Sequence, residues 1–432
     1  MMKLRPCRSR QTSLLFRLGA IACGVVIFLA DQRPLVRAWS PLLCGKPLLV
    51  KKIQKVSRRA FIAGLTTGVV AGTAATAGAA VAINEQVNNR PEPYTPPRGS
   101  LVDQVVVITG GTTGLGLESA KRLASAGATI VLTSRNEAKG DKAVESVLDY
   151  LSKAGVDNKK IYSLVLDLDD LESVKAFPAS YKALKLGDIS VLMNNAGVMA
   201  IPDRQVTKDG YERTFQSNHL GHFVLTSGLY PFLSRTKATV INVSSEAYNF
   251  ARGGLDLANI NSENEYGPWT SYGQSKLMNI LFTQELQRRA DASGDSFLTA
   301  VTLHPGAVST DLGRYLVGEE KWNELKTNGP SGLESFALNA LSVFTKTVPE
   351  GASTQIYLAA GADGKMEKSA FYEDMKVKRS LPAYAKDVTK AKQLWEKSEE
   401  LGGVVFDIAP KPPTSSSSEI SSTSAASAET TS

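Results

Sequence analysis

The chain has 432 residues, a formal net charge of +7 and a hydrophobic content of 43%. Residues 1–100 contain 15 Lys and Arg but only three acids, so the rest of the chain, with 34 basic and 39 acidic residues, is mildly acidic. Because a phosphate backbone is bound by clustered basic side chains, no nucleic-acid partner is predicted for this body. All three cysteines precede residue 50 and the three histidines lack ligand-like spacing, so neither a disulfide framework nor a metal site is predicted there.

Residues 1–98 have the composition of a targeting leader followed by a linker. An apolar run over 14–30 follows basic residues, and residues 32–84 contain no acid. Two arginines at 58–59 then precede a weakly apolar run over 60–83, which resembles either a twin-arginine signal or a single membrane span. Stacked signals are typical of algal presequences that reach the plastid through the secretory route. The leader therefore predicts a plastid location, with thylakoid association, or as the alternative an endomembrane location.

The body, residues 99–408, is predicted to be a single α/β domain, and the Ser/Thr-rich residues 409–432 are predicted to be a disordered tail. The first predicted strand, Val105–Thr109, leads directly into GGTTGLG and a helix with periodic apolar residues. Glycines let the chain turn and approach a pyrophosphate without a Cβ in the way, and a helix N-terminus attracts the anion. The residues of this predicted dinucleotide site are Gly110, Thr112, Thr113, Gly114, Leu115 and Gly116.

The second predicted strand, Thr129–Thr133, is followed by Arg135, which lies 19 residues beyond Gly116. A site that prefers NAD(H) places an acid near this position, on the ribose 2′-hydroxyl. A guanidinium suits a 2′-phosphate instead, through charge-assisted hydrogen bonds. Arg135 therefore predicts NADP(H) in preference to NAD(H), and the alternative is a solvated arginine at a strand end.

Two further predicted strands, Ile161–Leu166 and Ile189–Met193, continue the alternation of strands and helices. Asp167 and Leu168 follow the first of them, and Asp167 is either a contact for the adenine edge or a helix cap. The second strand runs into NNAG, which adds to the predicted cofactor site Asn195, Ala196 and Gly197. Because ligands bind at the carboxyl ends of parallel strands, the pattern predicts a Rossmann-type α/β fold, a doubly wound parallel sheet flanked by helices on both faces.

Seven motifs, TGGTTGLG, DLD, NNAG, SNHLGHF, INVSS, YGQSK and HPGAVST, occur in the order found in the short-chain dehydrogenase/reductases. The resemblance is strong over residues 101–310 and looser to residue 400. NNAGVM, SNHLGHF and SKLMNILFTQEL are most similar to the retinol-dehydrogenase-like branch, and the protochlorophyllide reductases are near relatives. The resemblance implies an oxidoreductase that transfers hydride between a nicotinamide cofactor and a carbonyl or alcohol.

The resemblance also implies four catalytic positions. Tyr272 corresponds to the general acid/base, and Lys276 to the cation that eases its ionisation and holds the nicotinamide ribose. Ser245 corresponds to the hydroxyl that orients the substrate, and only the match to INVSS distinguishes it from the adjacent Ser244. Asn218 corresponds to the residue that holds a water for a proton relay through Lys276.

The spacing of this tyrosine and lysine is a weak signal by itself, because residues four apart on a helix are neighbours whatever their function. The same spacing occurs at Tyr181–Lys185 and at Tyr372–Lys376. Only Tyr272 follows a dinucleotide fingerprint, SNHLGHF and a serine-ended strand. The order of the motifs, and not the pair, identifies the candidate proton donor.

Other residues are predicted to surround the catalytic positions. The resemblance implies a nicotinamide contact by the loop that contains Pro305, Gly306, Val308 and Thr310. Thr310 has a second interpretation as a helix cap. His219 and His222 are interpreted as packing or hydrogen-bonding residues, in preference to catalytic ones.

Two variable segments are predicted to form the substrate cleft. Residues 246–269 make the distance between the catalytic serine and tyrosine longer than in compact family members, and they are predicted to project beside the cleft. Within them Tyr248, Tyr266 and Trp269 form either an apolar wall or ordinary surface packing. Residues 312–344 have apolar positions near helical spacing, which predicts either a lid over a lipophilic substrate or a packed core segment.

The leading functional hypothesis is an NADP(H)-dependent oxidoreductase that interconverts a lipophilic aldehyde or ketone, such as a retinoid or apocarotenoid, and its alcohol. A protochlorophyllide reductase is the alternative, although the body lacks the cysteines of that family. A further alternative is an NADPH-sensing regulatory subunit at an organellar membrane. Homodimerisation through the helix that carries Tyr272 is common in the family, and the sequence leaves it open.

Overall fold

The computed structural model describes residues 92–308 and 346–408. Its strands are β1 Val105–Ile108, β2 Thr129–Ser134, β3 Ile161–Val165, β4 Val191–Asn194, β5 Ala238–Val243, β6 Leu298–His304, β7 Phe371–Glu373 and β8 Lys376–Val377. They form one eight-stranded sheet in the order β3-β2-β1-β4-β5-β6-β7-β8. Every pairing is parallel except that of β7 with β8. The predicted Rossmann-type sheet is confirmed.

The described helices are α1 Gly114–Ser125, α2 Glu137–Lys153, α3 Leu171–Ala183, α4 (Arg213–Phe215, a π-helical turn Gln216–Leu220 and Gly221–Leu229), α5 Pro268–Ser293, α6 Val348–Ala359 and α7 Val388–Gly402. Helices α1, α2 and α6 pack on one face of the sheet, and α3, α4, α5 and α7 pack on the other. Strand β1 shows how the sequence specifies two faces. Val105 and Val107 belong to one core cluster and Val106 and Ile108 to the other, because successive side chains of a strand point in opposite directions.

The predicted strands are confirmed in order, with ends that differ by one or two residues. The hairpin of β7 and β8 has no predicted counterpart, because its short FYEDMK segment is largely polar. This hairpin contains Tyr372 and Lys376, so that pair is not helical. Lys185 lies beyond the end of α3 with a φ of 53°. Of the three Tyr–Lys pairs, only the one on α5 lies within a single helix.

The predicted leader, the predicted tail and the predicted lid over 312–344 lie outside the described residues. Across 92–308 and 346–408, no helix combines the length and the apolar character that a bilayer crossing requires. The membrane span over 60–83 and the domain limits at 99 and 408 stay predictions.

Helix α1 approaches the sheet too closely for a side chain at one position. A Cβ at Gly116 would lie 2.5 Å from the carbonyl oxygen of Gly110 and 2.8 Å from Nδ2 of Asn195. That amide nitrogen is itself held by the carbonyl oxygen of Thr109 at 2.8 Å. Neither neighbour is the free end of a flexible side chain, so the contact requires glycine.

We expect Gly116→Ala to lower the free energy of unfolding by about 1–3 kcal/mol, the usual cost of overpacking. Gly253→Ala is the matched control, because Gly253 is exposed and a Cβ there would meet nothing within 4 Å. Thermal unfolding of the two variants and the wild type measures the difference. Equal midpoints for Gly116→Ala and the wild type would contradict this account of the packing.

Candidate active site

The turn between β1 and α1 has the shape of a phosphate cradle. It contains Thr112, and Leu115 follows in the first turn of α1. Gly110 has a φ of 62°, and a Cβ there would lie 3.0 Å from the Cα of Ala196. Gly114 begins α1 with a φ of 54°. Thr113 is the N-cap residue, but its side chain makes no capping hydrogen bond, and the first turn contains no acid. The amides at the positive end of this helix therefore have no side-chain cap and no acid in their own turn, and they fit the pyrophosphate of a dinucleotide.

Thr109, at the end of β1, holds the NNAG turn next to this cradle. Its Oγ1 accepts hydrogen bonds from the backbone N–H groups of Asn195 and Ala196, each at 2.9 Å. Nδ2 of Asn195 donates to the carbonyl oxygen of Thr109 at 2.8 Å. The predicted NNAG residues and the glycine-rich turn thus form one rigid unit at the carboxyl edge of the sheet.

Arg135 follows β2, and its side chain is 53% exposed. Its Nη1 lies 3.8 Å from Oδ2 of Asp169, while Nε of Arg213 donates to the same oxygen at 2.8 Å. Because Arg213 already compensates this carboxylate, the guanidinium of Arg135 can meet another anion. This arrangement fits a 2′-phosphate, and the preference for NADP(H) stays a prediction.

Asp167 does not cap the helix that follows it. Asp170 is the N-cap of α3, and its Oδ1 accepts from the backbone N–H groups of Glu172 and Ser173 at 2.9 and 3.2 Å. Asp167 instead accepts from the N–H of Asp169 at 3.0 Å. The helix-cap alternative is therefore wrong for Asp167. Its neighbour at 168 is a buried leucine of the core.

Helix α5 carries Tyr272 and Lys276 on one buried face. The two residues are 7% and 4% exposed. Nζ of Lys276 lies 5.4 Å from the centre of the Tyr272 ring and donates to the carbonyl oxygen of Val243 at 3.1 Å. Val243 ends β5, so the amine is fixed between the sheet edge and the phenol.

Burial controls the protonation of both groups. It raises the pKa of Tyr272 to about 12, against the opposing effect of a hydrogen bond with Ser245. It also lowers the pKa of Lys276 to about 8. The pKa of Tyr272 is therefore raised and not lowered, because desolvation of the phenol dominates it, and the easing of its ionisation by Lys276 stays a prediction. At neutral pH the phenol keeps its proton and is able to donate it.

The two serines after β5 have different surroundings. Ser244 is 1% exposed, and its Oγ donates to the carbonyl oxygen of Lys276 at 2.7 Å. Ser245 is only partly buried, hydrogen-bonds with Tyr272, and accepts from the N–H of Ala247 at 3.2 Å. The geometry therefore favours Ser245 as the hydroxyl beside the proton donor, whereas Ser244 anchors α5 to the sheet.

Asn218 lies in the π-helical turn of α4 and is fully buried. Its Nδ2 donates to the carbonyl oxygen of Val198 at 3.0 Å and to Oγ of Ser275 at 2.9 Å, and its Oδ1 accepts from the N–H of Val198 at 2.8 Å. A Cβ at Gly197 would lie 2.9 Å from this Oδ1 and 3.6 Å from Nζ of Lys276. Since structural hydrogen bonds occupy the side chain, the role of holding a water would fall to the main-chain carbonyl, and it stays a prediction.

The loop after β6 places Pro305, Gly306 and Val308 at the same edge of the sheet. Gly306 has a φ of 90°, and a Cβ there would lie 2.8 Å from Nζ of Lys346. That amine donates to the carbonyl oxygen of Pro305 at 3.4 Å, and Val308 forms a parallel bridge with Lys346. The predicted contact at Thr310 lies outside the described residues.

One ion pair behind Ser245 is missing from the predicted site. Nζ of Lys378 lies 2.5 Å from Oε1 of Glu246 and 3.2 Å from Oε2 of Glu373. Glu246 is only 4% exposed, so this pair ties the residue after Ser245 to the β7–β8 hairpin. The only sequence feature that points to this ion pair is the acid directly after VSS, Glu246. No spacing relates it to Lys378.

Tyr248 is not part of an apolar wall. It is 2% exposed, and its ring centre lies 5.7 Å from that of Phe371 and 6.4 Å from that of Tyr384. Tyr266 is partly buried, and its hydroxyl donates to the carbonyl oxygen of Ile201 at 2.6 Å. Residues 246–269 are therefore anchored in the core at several points and do not simply project.

An exposed aromatic pair lies next to Tyr272. Phe250 and Trp269 are 49% and 40% exposed, and their ring centres are 5.5 Å apart. The Trp269 ring lies 6.4 Å from the Tyr272 ring at an interplanar angle of 74°. Of the three aromatic residues considered for the wall, Trp269 lies beside Tyr272 and packs against Phe250, and its place in a substrate wall stays a prediction.

Lys276→Met tests the cost of the buried amine. A lowered lysine pKa means that the folded chain disfavours the charged amine. This loss of folding stability is fully present below about pH 8 and disappears as the pH rises towards 10.5. We expect the variant to be more stable than the wild type at pH 7 by on the order of 1 kcal/mol, since the lost hydrogen bond to Val243 offsets part of the gain. The gain should shrink at pH 10.

Thermal unfolding at the two pH values measures this difference. Lys392→Met on α7 is the control, because Lys392 is exposed and should show no such pH-dependent gain. A Lys276→Met variant that is less stable than the wild type at pH 7 would show that the buried amine stabilises the fold.

Comparison with known proteins agrees with this geometry. The family model described as short chain dehydrogenase matches residues 104–321. Retinol dehydrogenase 14 of Mus musculus is 35% identical over 314 residues, which cover 71% of this chain and 88% of the relative. Short-chain dehydrogenase TIC 32 A, chloroplastic, of Brassica napus is 34% identical over 304 residues, or 68% of this chain and 87% of the relative. Polyprenol dehydrogenase of Homo sapiens is 34% identical over 319 residues, or 73% and 88%.

A solved structure supports the same assignment. The crystal structure of an uncharacterized protein from Mycobacterium Paratuberculosis is 30% identical, covers 73% of this chain and 99% of its own, and superposes with a TM-score of 0.54. Fold, motif order and relatives agree. The chain belongs to the short-chain dehydrogenase/reductase family, oxidoreductases that use NAD(P)(H), and within it to the retinol-dehydrogenase-like branch.

Proposed function

We propose that the protein is an NADP(H)-dependent oxidoreductase that interconverts a lipophilic aldehyde or ketone and its alcohol. The observation that carries the proposal is the arrangement at the end of β5. A neutral, buried Tyr272 hydrogen-bonds with Ser245 and lies beside the buried amine of Lys276. This group lies at the same sheet edge as the glycine-rich cradle, where a dinucleotide fits.

Tyr272 acts as the general acid in the direction of reduction. The phenol gives its proton to the carbonyl oxygen, while a nicotinamide dinucleotide held by the glycine-rich cradle would supply the hydride to the carbonyl carbon. Its raised pKa keeps the proton available at neutral pH. Ser245 donates a hydrogen bond to the same oxygen and so orients it. In oxidation the phenolate takes the proton back.

Lys276 assists through its charge and its position. With a pKa of about 8 the amine is mostly protonated at pH 7, although burial disfavours that form. As the phenol loses its proton, the developing negative charge lies next to this cation, and the two charges stabilise each other. Asn218 contributes its main-chain carbonyl, which holds a water through which the proton is replaced.

The preference for NADP(H) rests on Arg135. The residue follows β2, its guanidinium is mostly exposed, and Arg213 compensates the carboxylate of Asp169 that lies beside it. A 2′-phosphate would gain charge-assisted hydrogen bonds there, which a ribose 2′-hydroxyl would not match.

The lipophilic substrate class rests on the exposed pair Phe250 and Trp269. Two adjoining aromatic rings next to the proton donor offer an apolar surface that water would otherwise cover. Retinol and polyprenol, which appear in the names of two relatives, are apolar alcohols. The word chloroplastic in the name of a third relative supports a plastid location, and the leader has the matching composition.

We expect Tyr272→Phe to lower kcat for reduction of a lipophilic aldehyde at least about 100-fold, the usual contribution of a positioned general acid. NADPH affinity should change less than about threefold, because the ring remains. Tyr181→Phe is the matched control, since Tyr181 has the same spacing to a lysine but its hydroxyl donates to the carbonyl oxygen of Gly187, far from the site. Its kcat should equal that of the wild type.

NADPH oxidation by the full chain, followed by absorbance with a panel of retinoid and apocarotenoid aldehydes, provides the measurement. Turnover that survives in Tyr272→Phe would contradict the assignment of the acid. A wild type that consumes no NADPH with any member of the panel would contradict the function and favour an NADPH-sensing role.

We expect Arg135→Gln to weaken NADPH binding by roughly tenfold, the loss of one charge-assisted contact, and to leave NADH binding within about twofold. Nucleotide fluorescence titration of the wild type and the variant gives both dissociation constants, and NADH is the internal control. An equal loss of affinity for NADPH and NADH would show that Arg135 does not bind the 2′-phosphate.

A further inference from the structure

One buried imidazole joins two parts of the site. His222 lies on α4 and is 2% exposed. Its Nδ1 lies 3.2 Å from the carbonyl oxygen of Asn218, and its Nε2 lies 2.9 Å from Oγ1 of Thr109. Thr109 in turn holds the backbone of the NNAG turn. The ring therefore connects the cofactor-facing turn with the carbonyl that fits the relay water.

The bonding partners of this ring determine its protonation. The Asn218 carbonyl only accepts, so Nδ1 carries the hydrogen. Oγ1 of Thr109 already accepts from two backbone N–H groups, which occupies both of its lone pairs, so its single hydrogen must be donated. Nε2 of His222 is the nearer acceptor at 2.9 Å, compared with 3.4 Å for the carbonyl oxygen of Met193. Only the neutral ring with hydrogen on Nδ1 satisfies every group.

Burial has the same consequence as this pattern. It lowers the pKa of His222 to about 4, so the ring is neutral at pH 7. An imidazolium would also place a second hydrogen on Nε2, directed at the hydroxyl that must donate to it. The hydrogen bonds and the desolvation thus both favour the neutral His222 ring with its hydrogen on Nδ1.

His219, three residues earlier, has different contacts on the same helix. It is fully buried, and burial lowers its pKa to about 3. Its Nε2 lies 2.9 Å from Oγ of Ser398 on α7, and its ring centre lies 6.1 Å from that of Phe215 and 6.3 Å from that of Phe223. These are contacts of the aromatic core, so His219 provides a matched comparison for a buried histidine without the bridge.

We infer that His222 is a positioning residue that fixes the direction of the Asn218 carbonyl and connects it to the NNAG turn through Thr109. A π-helical turn interrupts the regular ladder of backbone hydrogen bonds, so a carbonyl within it benefits from a side-chain donor. The bond from Nδ1 constrains the carbonyl oxygen to which the proposed function assigns a water. The effect on turnover rests on the proposed function, whereas the hydrogen-bond arrangement does not.

Three substitutions separate the two hydrogen bonds. His222→Asn places an amide nitrogen near the position of Nδ1 and keeps the donor to Asn218. His222→Gln places its amide near the position of Nε2 and keeps the contact with Thr109. His222→Phe keeps the ring volume and removes both bonds, and His219→Phe is the control on the core side of the helix.

We expect kcat for aldehyde reduction to fall roughly tenfold in His222→Phe and His222→Gln, the effect of one lost orienting hydrogen bond. It should stay within about twofold of the wild type in His222→Asn and His219→Phe, with substrate KM unchanged in all four. Rescue by Asn but not by Gln is the signature of positioning. Equal losses in the Asn and Gln variants, or no loss in either, would overturn the inference.

A second readout needs no substrate. Selective ¹⁵N labelling of the full chain introduces signals from only three histidines, and the His222→Phe and His219→Phe variants assign them. At pH 7 the His222 ring should show a protonated Nδ1 and a bare Nε2. A protonated Nε2 would overturn the inference whether or not a substrate is found. The expected tautomer in a chain that turns over no carbonyl would support the arrangement and contradict the proposed function alone.

Discussion

The site depends on the burial of one amine. Lys276 is 4% exposed and donates to the carbonyl oxygen of Val243, which also accepts from Nδ2 of Asn279 at 3.1 Å. An ammonium in this position costs free energy that a globular core would avoid by carrying an apolar residue. The arrangement is intelligible as a functional one, because the same burial that lowers the lysine pKa keeps the neighbouring phenol protonated and close to it.

The fold makes this burial rigid. Helix α5 is 26 residues long, and most of its turns are buried against the sheet, against α7 or under the segment after Ser245. Ser244 ties its middle to the end of β5, and the pair of Glu246 and Lys378 ties the next turn to the terminal hairpin. The hydroxyls of Ser245 and Tyr272 are therefore positioned by elements that are distant in the chain. This is the preorganisation that proton transfer in a defined geometry requires.

Sequence patterns predict the fold well because they follow from local physics. Alternate apolar residues on β1 specify two covered faces, Gly110 and Gly114 supply the positive φ of the turn, and Gly116 permits the close approach of α1. The order of the motifs also predicts which residues meet at the end of β5, since Ser245, Tyr272 and Lys276 lie together there, and their catalytic roles stay predictions. The other two Tyr–Lys pairs, Tyr181–Lys185 and Tyr372–Lys376, differ from the pair on α5 because neither has both residues within one helix.

The remaining features depend on tertiary contacts that no spacing encodes. The sequence predicts a lowered pKa for Tyr272, because the nearby lysine can be recognised from the spacing. The pKa is raised instead, because burial of the phenol arises only in the assembled core. Tyr248 is interpreted as a cleft residue, yet it packs against β7, a strand with almost no local signal. The bridge of Thr109, His222 and Asn218 spans more than 100 residues, so it emerges only when β1 and α4 meet.

The central claim is that this site transfers a hydride and a proton to a lipophilic carbonyl. Reduction of a retinoid aldehyde by the full chain with NADPH deuterated at the nicotinamide C4 tests it most directly, with mass spectrometry of the alcohol product. If the C4 hydrogen that is transferred as hydride is the labelled one, we expect one deuterium on the former carbonyl carbon of the alcohol. An alcohol without deuterium from either labelled face, or no alcohol at all, would contradict it.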